Sequence, residues 1–467
     1  MDEFNLNQFY ELAAIYHFNP ERRNLLQPLI KKLFSEKIDK LDIHKNIVSN
    51  PIYEITNSSS KCDILEDLFK RYDFVITSNI NTKNVIDYIN LKYYEYIDVF
   101  LKYYNMSLEA FTYISFVIWK DYLDRVIQIS EFEEYQFETK EDYANPNYFG
   151  VPDKKYIENW KNISTFRFDE IVEKIYPFSK DDFTKYLELY SFNITKIKVE
   201  LDLRFREYPL FYYGEKVILV DPEAFFFYLP HKIDILLSKT KSYNSTKGRV
   251  FENIILDLID EIPIKKELKR NLEYEGFELD GLLNLKHSTW FVECKSRNIS
   301  TESLKGNRNK IQKDIEKSIR AGIKQGERAI SHKDSEFICH LGIKNFTGII
   351  VVVEGIFPNL RIKTLLPNNP IDQCKYPVCV FNYFDLRTIV NQHDANLFED
   401  FLIWRSQKDM PIYAFDECDY WDFYTKMKHD KERKGIFKLA QKNKNIVLYV
   451  GDRFNDKRYI SKIKTLR

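Results

Sequence analysis

The chain has 467 residues, of which 44% are hydrophobic and 30% charged, so it can hold two or three domains and lacks a disordered composition. Its 70 basic side chains equal its 70 acidic ones, which excludes a strongly basic nucleic-acid binder and limits any such surface to a local patch. The 6 cysteines form no CxxC pair, the chain starts without a signal-peptide pattern, and no apolar run approaches the roughly 20 residues of a membrane span. These features predict a cytoplasmic protein with reduced thiols and no membrane segment.

Residues 1–190 are predicted to form a mainly helical N-terminal region. Ser179 and Asp182 stand where a capping box would begin a helix. The many aromatic side chains of this region favour helix packing over a ligand-binding box. The region contains no catalytic constellation, so we expect it to serve recognition, regulation or the binding of a protein partner.

Residues 191–240 are predicted to hold strands and a helix that lead into the next domain. The alternation over 197–203 and the apolar run over 216–220 indicate strands, and a helix is expected near 223–238. The polar residues over 238–247 are interpreted as a linker that contains a domain boundary.

Residues 241–390 have the element order of an α/β sandwich, in which a mixed central sheet is flanked by helices. Apolar periodicity predicts, in chain order, a helix over 249–262, strands over 278–285 and 289–293, a long helix over 311–330, a buried strand over 348–353, a strand over 378–381 and a helix start over 385–390. Residues 391–467 are expected to be a C-terminal α/β extension packed on this core, with a strand over 445–450.

Three acidic residues and a lysine occur as an ordered set in this core: Glu252, Asp280, Glu293 and Lys295. Phosphodiester hydrolysis needs a divalent metal that neutralises the phosphate and activates water, and Mg²⁺ prefers carboxylate oxygens. Asp280 and Glu293 lie on two successive predicted strands, so both can bind one metal, with the Cys294 backbone carbonyl as a further ligand. Because side chains two apart on a strand face the same way, Lys295 would orient or help deprotonate the attacking water.

The Glu-x-Lys pattern by itself is weak, because acid-x-Lys also occurs at 153–155 and 432–434 in polar stretches. At 293–295 it follows an apolar strand, has Asp280 upstream and precedes a basic helix. Glu252 lies at the edge of the buried face of its helix, where a carboxylate is uncommon unless it is paired or binds metal. A helix-start acid stabilised by the helix dipole is the alternative for Glu252.

The helix predicted over 311–330 has a basic face that can contact a phosphate backbone. Its members are Lys313, Lys317, Arg320 and Lys324. A solvated face, partly neutralised by Asp314 and Glu316, is the alternative. A second face is expected to let the helix approach the sheet, and it comprises Ser318, Ala321, Gln325 and Ala329. Gln325 could reach the metal-bound water or a phosphate there, and an ordinary surface amide is the alternative.

Four segments together resemble the PD-(D/E)XK, or restriction-endonuclease-like, nuclease superfamily: residues 248–252 (GRVFE), 278–283 (ELDGLL), 290–296 (WFVECKS) and 324–329 (KQGERA). The resemblance covers about 110 of the 467 residues, and Leu279 rather than proline precedes the aspartate. It implies a mixed sheet flanked by helices, Mg²⁺ (for which Mn²⁺ can substitute) and cleavage of nucleic-acid phosphodiesters.

The resemblance also implies roles for single residues. By position, Asp280 and Glu293 resemble the metal-binding acids and Lys295 resembles the motif lysine. Glu252 resembles the acid on the first core helix, and Gln325 the polar position on the helix after the motif.

The sequence therefore predicts a Mg²⁺-dependent DNA endonuclease, with bacterial restriction or other antiviral defence as the hypothesis for its pathway. The alternatives are a catalytically silent nucleic-acid-binding or assembly protein on the same fold, or an RNA-cleaving effector. A transposon-end or repair nuclease would use the same chemistry. The expected partners are nucleic acid and, through the N-terminal region, a protein. Formation of a homo-oligomer is a further alternative.

Overall fold

A computed structural model describes residues 82–132, 154–193, 208–297, 300, 303, 308–332, 339–354, 370–407 and 417–429. Within these residues the chain is mixed α/β and forms two compact units, the first from Val85 to Thr240 and the second from Lys241 onward, with Thr82–Asn84 assigned to the second. The strands predicted over 197–203 and 445–450 lie outside the described residues. Among the described helices, none combines the length and apolarity needed to cross a bilayer.

The first unit consists of helices around a small sheet. Its helices are α1 (Thr82–Tyr93), α2 (Ile97–Tyr104), α3 (Leu108–Phe132), α4 (Lys154–Ser164), α5 (Phe168–Lys174), α6 (Lys180–Tyr190), α7 (Pro222–Phe227) and α8 (Leu229–Leu237). Its strands are β1 (Thr165–Arg167), β2 (Ser191–Asn193), β3 (Leu210–Tyr213) and β4 (Lys216–Leu219), in the order β1-β4-β3-β2. The helix predicted near 223–238 is thus two short helices.

Two local expectations for this unit are confirmed. The Ser179 side chain accepts a hydrogen bond from the Asp182 N–H, and the Asp182 carboxylate accepts one from the Ser179 N–H, which completes the capping box. Phe111, Tyr186 and Tyr190 are fully buried and in ring contact with one another. These aromatic side chains therefore form helix-packing core.

The second unit contains a five-stranded mixed sheet between helices. Its strands are β5 (Glu267–Tyr274), β6 (Phe277–Asn284), β7 (Ser288–Lys295), β8 (Phe346–Val353) and β9 (Val378–Asn382), in sequential order across the sheet. Its helices are α9 (Lys241–Asp260), α10 (Arg308–Ile315), α11 (Ala321–Ser331), α12 (Pro370–Gln373), α13 (Tyr383–Val390), α14 (Phe398–Arg405) and α15 (Glu417–His429). The pairs β5–β6 and β6–β7 are antiparallel, whereas β7–β8 and β8–β9 are parallel.

Helices cover both faces of this sheet. On one face, a Cβ added to Gly281 of β6 would lie 2.8 Å from Leu256 of α9. On the other face, a Cβ added to Gly322 of α11 would lie 2.8 Å from Val351 of β8. The sheet is therefore buried between α9 and α11, as in an α/β sandwich.

Two features of this unit differ from the sequence-based expectations. The linker expected over 238–247 is helical from Lys241, because Tyr243 and Val250, two turns apart, are buried on one face while their polar neighbours face solvent. The strand β5 was not predicted, because its sequence (ELKRNLEY) lacks apolar alternation. It is an edge strand on which most side chains are partly or fully exposed. A mainly polar sequence without apolar alternation is therefore expected at the edge of the sheet.

The helix predicted over 311–330 is present but contains a π-helical segment, Glu316–Arg320, between α10 and α11. Its apolar residues recur every fourth position, and all are buried: Ile311, Ile315, Ile319 and Ile323. A spacing of four exceeds the 3.6 residues of an α-helical turn, so the stripe would drift around a regular helix. The wider π turn keeps these side chains on the sheet.

Candidate active site on two adjacent strands

The register of β6 and β7 brings the predicted acids and lysine together. Gly281 pairs with Val292, so Asp280 and Glu293 are adjacent across the two strands. The Cys294 N–H donates to Asp280 Oδ2 at 2.6 Å, and Lys295 Nζ donates to Glu293 Oε2 at 2.7 Å. The side chains of Asp280, Glu293 and Lys295 therefore share one small region at the end of β7.

The pairing of β5 with β6 is irregular beside Asp280. The ladder joins Arg270 to Gly281 and Leu272 to Leu279 but omits the position between them, where Asn271 has a φ of 50°. A left-handed residue inside a strand changes the direction of the chain, and asparagine tolerates it better than most residues. This distortion of the edge strand lies opposite Asp280, whose carboxylate accepts the hydrogen bond from the Cys294 N–H.

Glu293 is the most buried acid of the site. Its side chain is 1% exposed, and Oε1 has no hydrogen-bond partner in the structure described here. Burial raises the pKa of Glu293 to about 8, opposed by the Lys295 ammonium and reinforced by the carboxylates of Asp280 and Glu252. An unpartnered, buried carboxylate oxygen is costly, and a bound cation would satisfy it.

Glu252 of α9 belongs to the same electrostatic cluster. Its pKa is raised to about 7 by partial burial and by the carboxylates of Asp280 and Glu278. Burial also raises the pKa of Asp280, although Lys295 and the Cys294 N–H oppose the shift. Burial alone would lower the pKa of Lys295, but Glu293 and Asp280 raise it overall. Glu252, Asp280 and Glu293 therefore repel one another, and one lysine only partly compensates them.

These shifts predict a pH-dependent stability. The folded-state pKa values of Glu252 and Glu293 exceed their ordinary values, so between about pH 5 and about pH 8 the folded chain holds protons that the unfolded chain releases. Without metal, the free energy of unfolding should fall as the pH rises through this window. The limit is about 1.4 kcal/mol per pH unit for each carboxyl, and solvent screening keeps the half-exposed Glu252 below it.

Denaturant unfolding at several pH values, in the presence of EDTA, measures this dependence. Replacing Glu252 with glutamine is expected to make stability less dependent on pH, whereas the same change at the exposed Glu267 should leave the dependence as in the parent. An unchanged dependence in the Glu252→Gln variant would contradict the electrostatic coupling described here.

The predicted basic face is only partly available. Lys313, Lys317 and Lys324 are exposed, and no carboxylate pairs with them among the described residues. Arg320 differs, because its Nε lies 2.7 Å from Glu316 Oε1 and its Nη1 donates to Gln373. Among the described residues, Glu316 thus forms an ion pair with Arg320 and with none of the three lysines.

Asp314, which the solvated-face alternative used to neutralise the basic face, is buried and bonded elsewhere. Its carboxylate accepts hydrogen bonds from the Ser300 N–H at 2.8 Å, from the Ser300 and Ser303 hydroxyls at 2.7 Å and from Arg297 Nη2 at 3.1 Å. These bonds lower the pKa of Asp314 despite its burial. Asp314 therefore ties the segment after β7 to α10.

The face of α11 that approaches the sheet also differs from the expectation. Gly322 and Gly326 are buried against β8, and an added Cβ would lie 2.8 Å from Val351 and 2.7 Å from Ile349 respectively. Ala321 and Gln325, predicted on this face, are only half-buried. Side-chain periodicity missed these glycines because they contribute no apolar side chain, although small residues at fourfold spacing are a usable signal for close packing.

Gln325 is half-buried on α11. It lies three residues after Gly322, whose added Cβ would be 3.5 Å from Glu293 Cβ. In the described part of the chain, no hydrogen bond joins its amide to Asp280, Glu293 or Lys295. Its role stays a prediction.

The donor set can be compared with the needs of Mg²⁺. Across the residues with described positions, no three His, Cys, Asp or Glu side chains form a ready-made metal cage. Mg²⁺, however, is commonly held by one or two carboxylates with several waters and substrate phosphates. The N–H and C=O of one strand residue point to the same side, so the Cys294 carbonyl faces the side of β7 on which its N–H meets Asp280. Asp280, Glu293 and this carbonyl therefore fit a partly hydrated Mg²⁺.

Comparisons of this chain with protein-family models, with curated proteins and with solved structures found no match. Any statement about its function must therefore rest on its own residues and their geometry.

Proposed function

We propose that the second unit is a Mg²⁺-dependent nuclease that hydrolyses phosphodiester bonds of DNA on a restriction-endonuclease-like core. The observation that carries this proposal is the grouping of Asp280, Glu293 and Lys295 on two adjacent strands, beside the point where their pairing ends. The element order supports it, because a helix, three antiparallel strands, a helix and a parallel strand form a mixed sheet flanked by helices, which is the architecture that the sequence resemblance implies.

Asp280 and Glu293, with the Cys294 carbonyl, are the groups that would hold Mg²⁺. The metal would neutralise the phosphate and lower the pKa of a bound water. Glu293 Oε1 is the oxygen best suited to binding, because it is buried and lacks any other partner in the described structure. Mn²⁺ prefers similar oxygen donors and should substitute.

Lys295 and Glu252 would act on the attacking water and on the phosphate. The Lys295 ammonium, held beside Glu293 Oε2, is placed to orient the attacking water and to stabilise charge on the phosphate. The carboxyl of Glu252, with a pKa of about 7, can accept or return a proton at neutral pH. Lys313, Lys317 and Lys324 would contact the phosphate backbone of the bound nucleic acid.

A cleavage assay with a matched acid control tests this function. Purified protein is incubated with supercoiled plasmid, linear duplex, single-stranded DNA and RNA, in Mg²⁺, Mn²⁺ or EDTA. We expect DNA cleavage with either metal and none with EDTA. Asp280→Asn should abolish cleavage, whereas the same change at the exposed Asp394 should preserve it.

The other outcomes separate the alternatives. Cleavage that persists in Asp280→Asn would place the activity at another site or in a contaminant. Binding of nucleic acid by wild type without cleavage in either metal would favour the catalytically silent protein. Cleavage of RNA but not of DNA would assign the same site to an RNA-cleaving effector.

A further inference from the structure

The tip of the β5–β6 hairpin carries an exposed aromatic ring close to the acid cluster. Phe277, the first residue of β6, is 42% exposed. The Arg328 guanidinium carbon lies 4.2 Å from the centre of its ring, and the Tyr274 ring centre lies 6.0 Å away. Tyr274 is buried in the core cluster that α10 and α11 form with the sheet, so the exposed ring stands on a rigid base.

This aromatic ring stands on the strand that carries Asp280. Phe277 precedes Asp280 by three residues on the same strand, a separation of about 10 Å. Between them lies Tyr274, whose pKa is raised first by burial and then by the Glu293 carboxylate, while the Arg328 guanidinium opposes that rise.

The charges around the ring suit a nucleotide. Arg328 and Lys324 are exposed, lie one helical turn apart on α11, and pair with no carboxylate among the described residues. A guanidinium stacked on an aromatic ring, with a second cation nearby, offers a π surface for a base and positive charge for its phosphate.

We propose that Phe277, with Arg328 and Lys324, is a stacking platform for one unpaired base beside the cleaved phosphodiester. The proposal rests on the nuclease function proposed above and names its substrate class: single-stranded DNA, or duplex DNA with a frayed or unpaired end. Bases inside a duplex are stacked on their neighbours, so only an unpaired base can present a free face to Phe277.

Binding measurements separate this platform from catalysis. Fluorescence anisotropy is measured in EDTA, in an Asp280→Asn background, with a labelled single-stranded oligonucleotide and with a blunt duplex of the same sequence. Phe277→Ala is expected to weaken single-strand binding by roughly 5- to 150-fold, the range for loss of one stacked base. Duplex binding should change little, and Phe277→Trp should retain single-strand affinity because it keeps an aromatic face.

Tyr176→Ala is the control, because this tyrosine is 82% exposed in the other unit and should not affect either affinity. Thermal melting monitored by circular dichroism checks that the Phe277 variants stay folded. Equal single-strand affinity in Phe277→Ala and its parent would overturn the platform while leaving the nuclease proposal intact. If the parent binds neither oligonucleotide and wild type cleaves no substrate, both proposals fail together.

Discussion

Replacing Lys295 with methionine is expected to lower the rate of DNA cleavage by roughly 10²- to 10⁴-fold, the usual contribution of a positioned acid–base group. The physical reason is the loss of the only ammonium within hydrogen-bonding distance of Glu293 in the described structure. Without it, the buried carboxylate of Glu293 loses the interaction that opposes its raised pKa, so it holds its proton more strongly. A protonated carboxyl binds Mg²⁺ poorly, so the metal and the water-orienting group are lost together.

Single-turnover cleavage rates at saturating Mg²⁺ measure this effect, and DNA binding in EDTA should change little. Lys286→Met is the matched control, because Lys286 is an exposed lysine in the turn between β6 and β7, at the opposite end of β7. A double variant, Glu293→Gln with Lys295→Met, removes both charges and should be inactive but folded. Cleavage by Lys295→Met at the wild-type rate would remove this lysine from the mechanism.

The Gly322→Val substitution is expected to have the largest effect on stability, with a loss of about 1–3 kcal/mol in the free energy of unfolding. A Cβ at this position would lie 2.8 Å from Cγ1 of Val351, which is fully buried in a central strand. The helix and the strand are both packed in the core. Relieving this contact requires the helix to shift away from the sheet, which disturbs the core packing. Since the same Cβ lies 3.5 Å from Glu293 Cβ, the shift should also reduce cleavage.

Gly248 provides the control for Gly322. It lies within α9, and an added Cβ would meet no atom within 4 Å. Gly248→Ala should therefore stabilise the protein by up to about 1 kcal/mol, as alanine does in an exposed helix. Denaturant midpoints of the two variants are compared with that of wild type. An unchanged midpoint for Gly322→Val would show that the packing of α11 on β8 accommodates the larger side chain without a loss of stability.

Local patterns in the sequence were sufficient for the elements that build the core of the second unit. The strands β6, β7 and β8 were predicted within a few residues, because long apolar segments bounded by polar turns leave little choice. Asp280, Glu293 and Lys295 could be grouped because they lie on two strands joined by a short turn. Residues so close along the chain become neighbours in space with few further requirements.

Contacts between distant parts of the chain decided the rest. The sequence could not assign β5 as an edge strand, because exposed edges need no apolar alternation. It could not show that Gly322 and Gly326 set the distance between α11 and the sheet, since only the opposing side chains of β8 reveal how close the two layers are.

The sequence by itself thus determined which residues of the second unit could carry metal chemistry and which elements hold them. The tertiary structure decided how these groups affect one another. Glu252 joins Asp280 and Glu293 through the packing of α9 on the sheet, and burial of their carboxylates raises the pKa values. Burial and mutual repulsion depend on the whole fold, because they arise from every group that excludes water from the site.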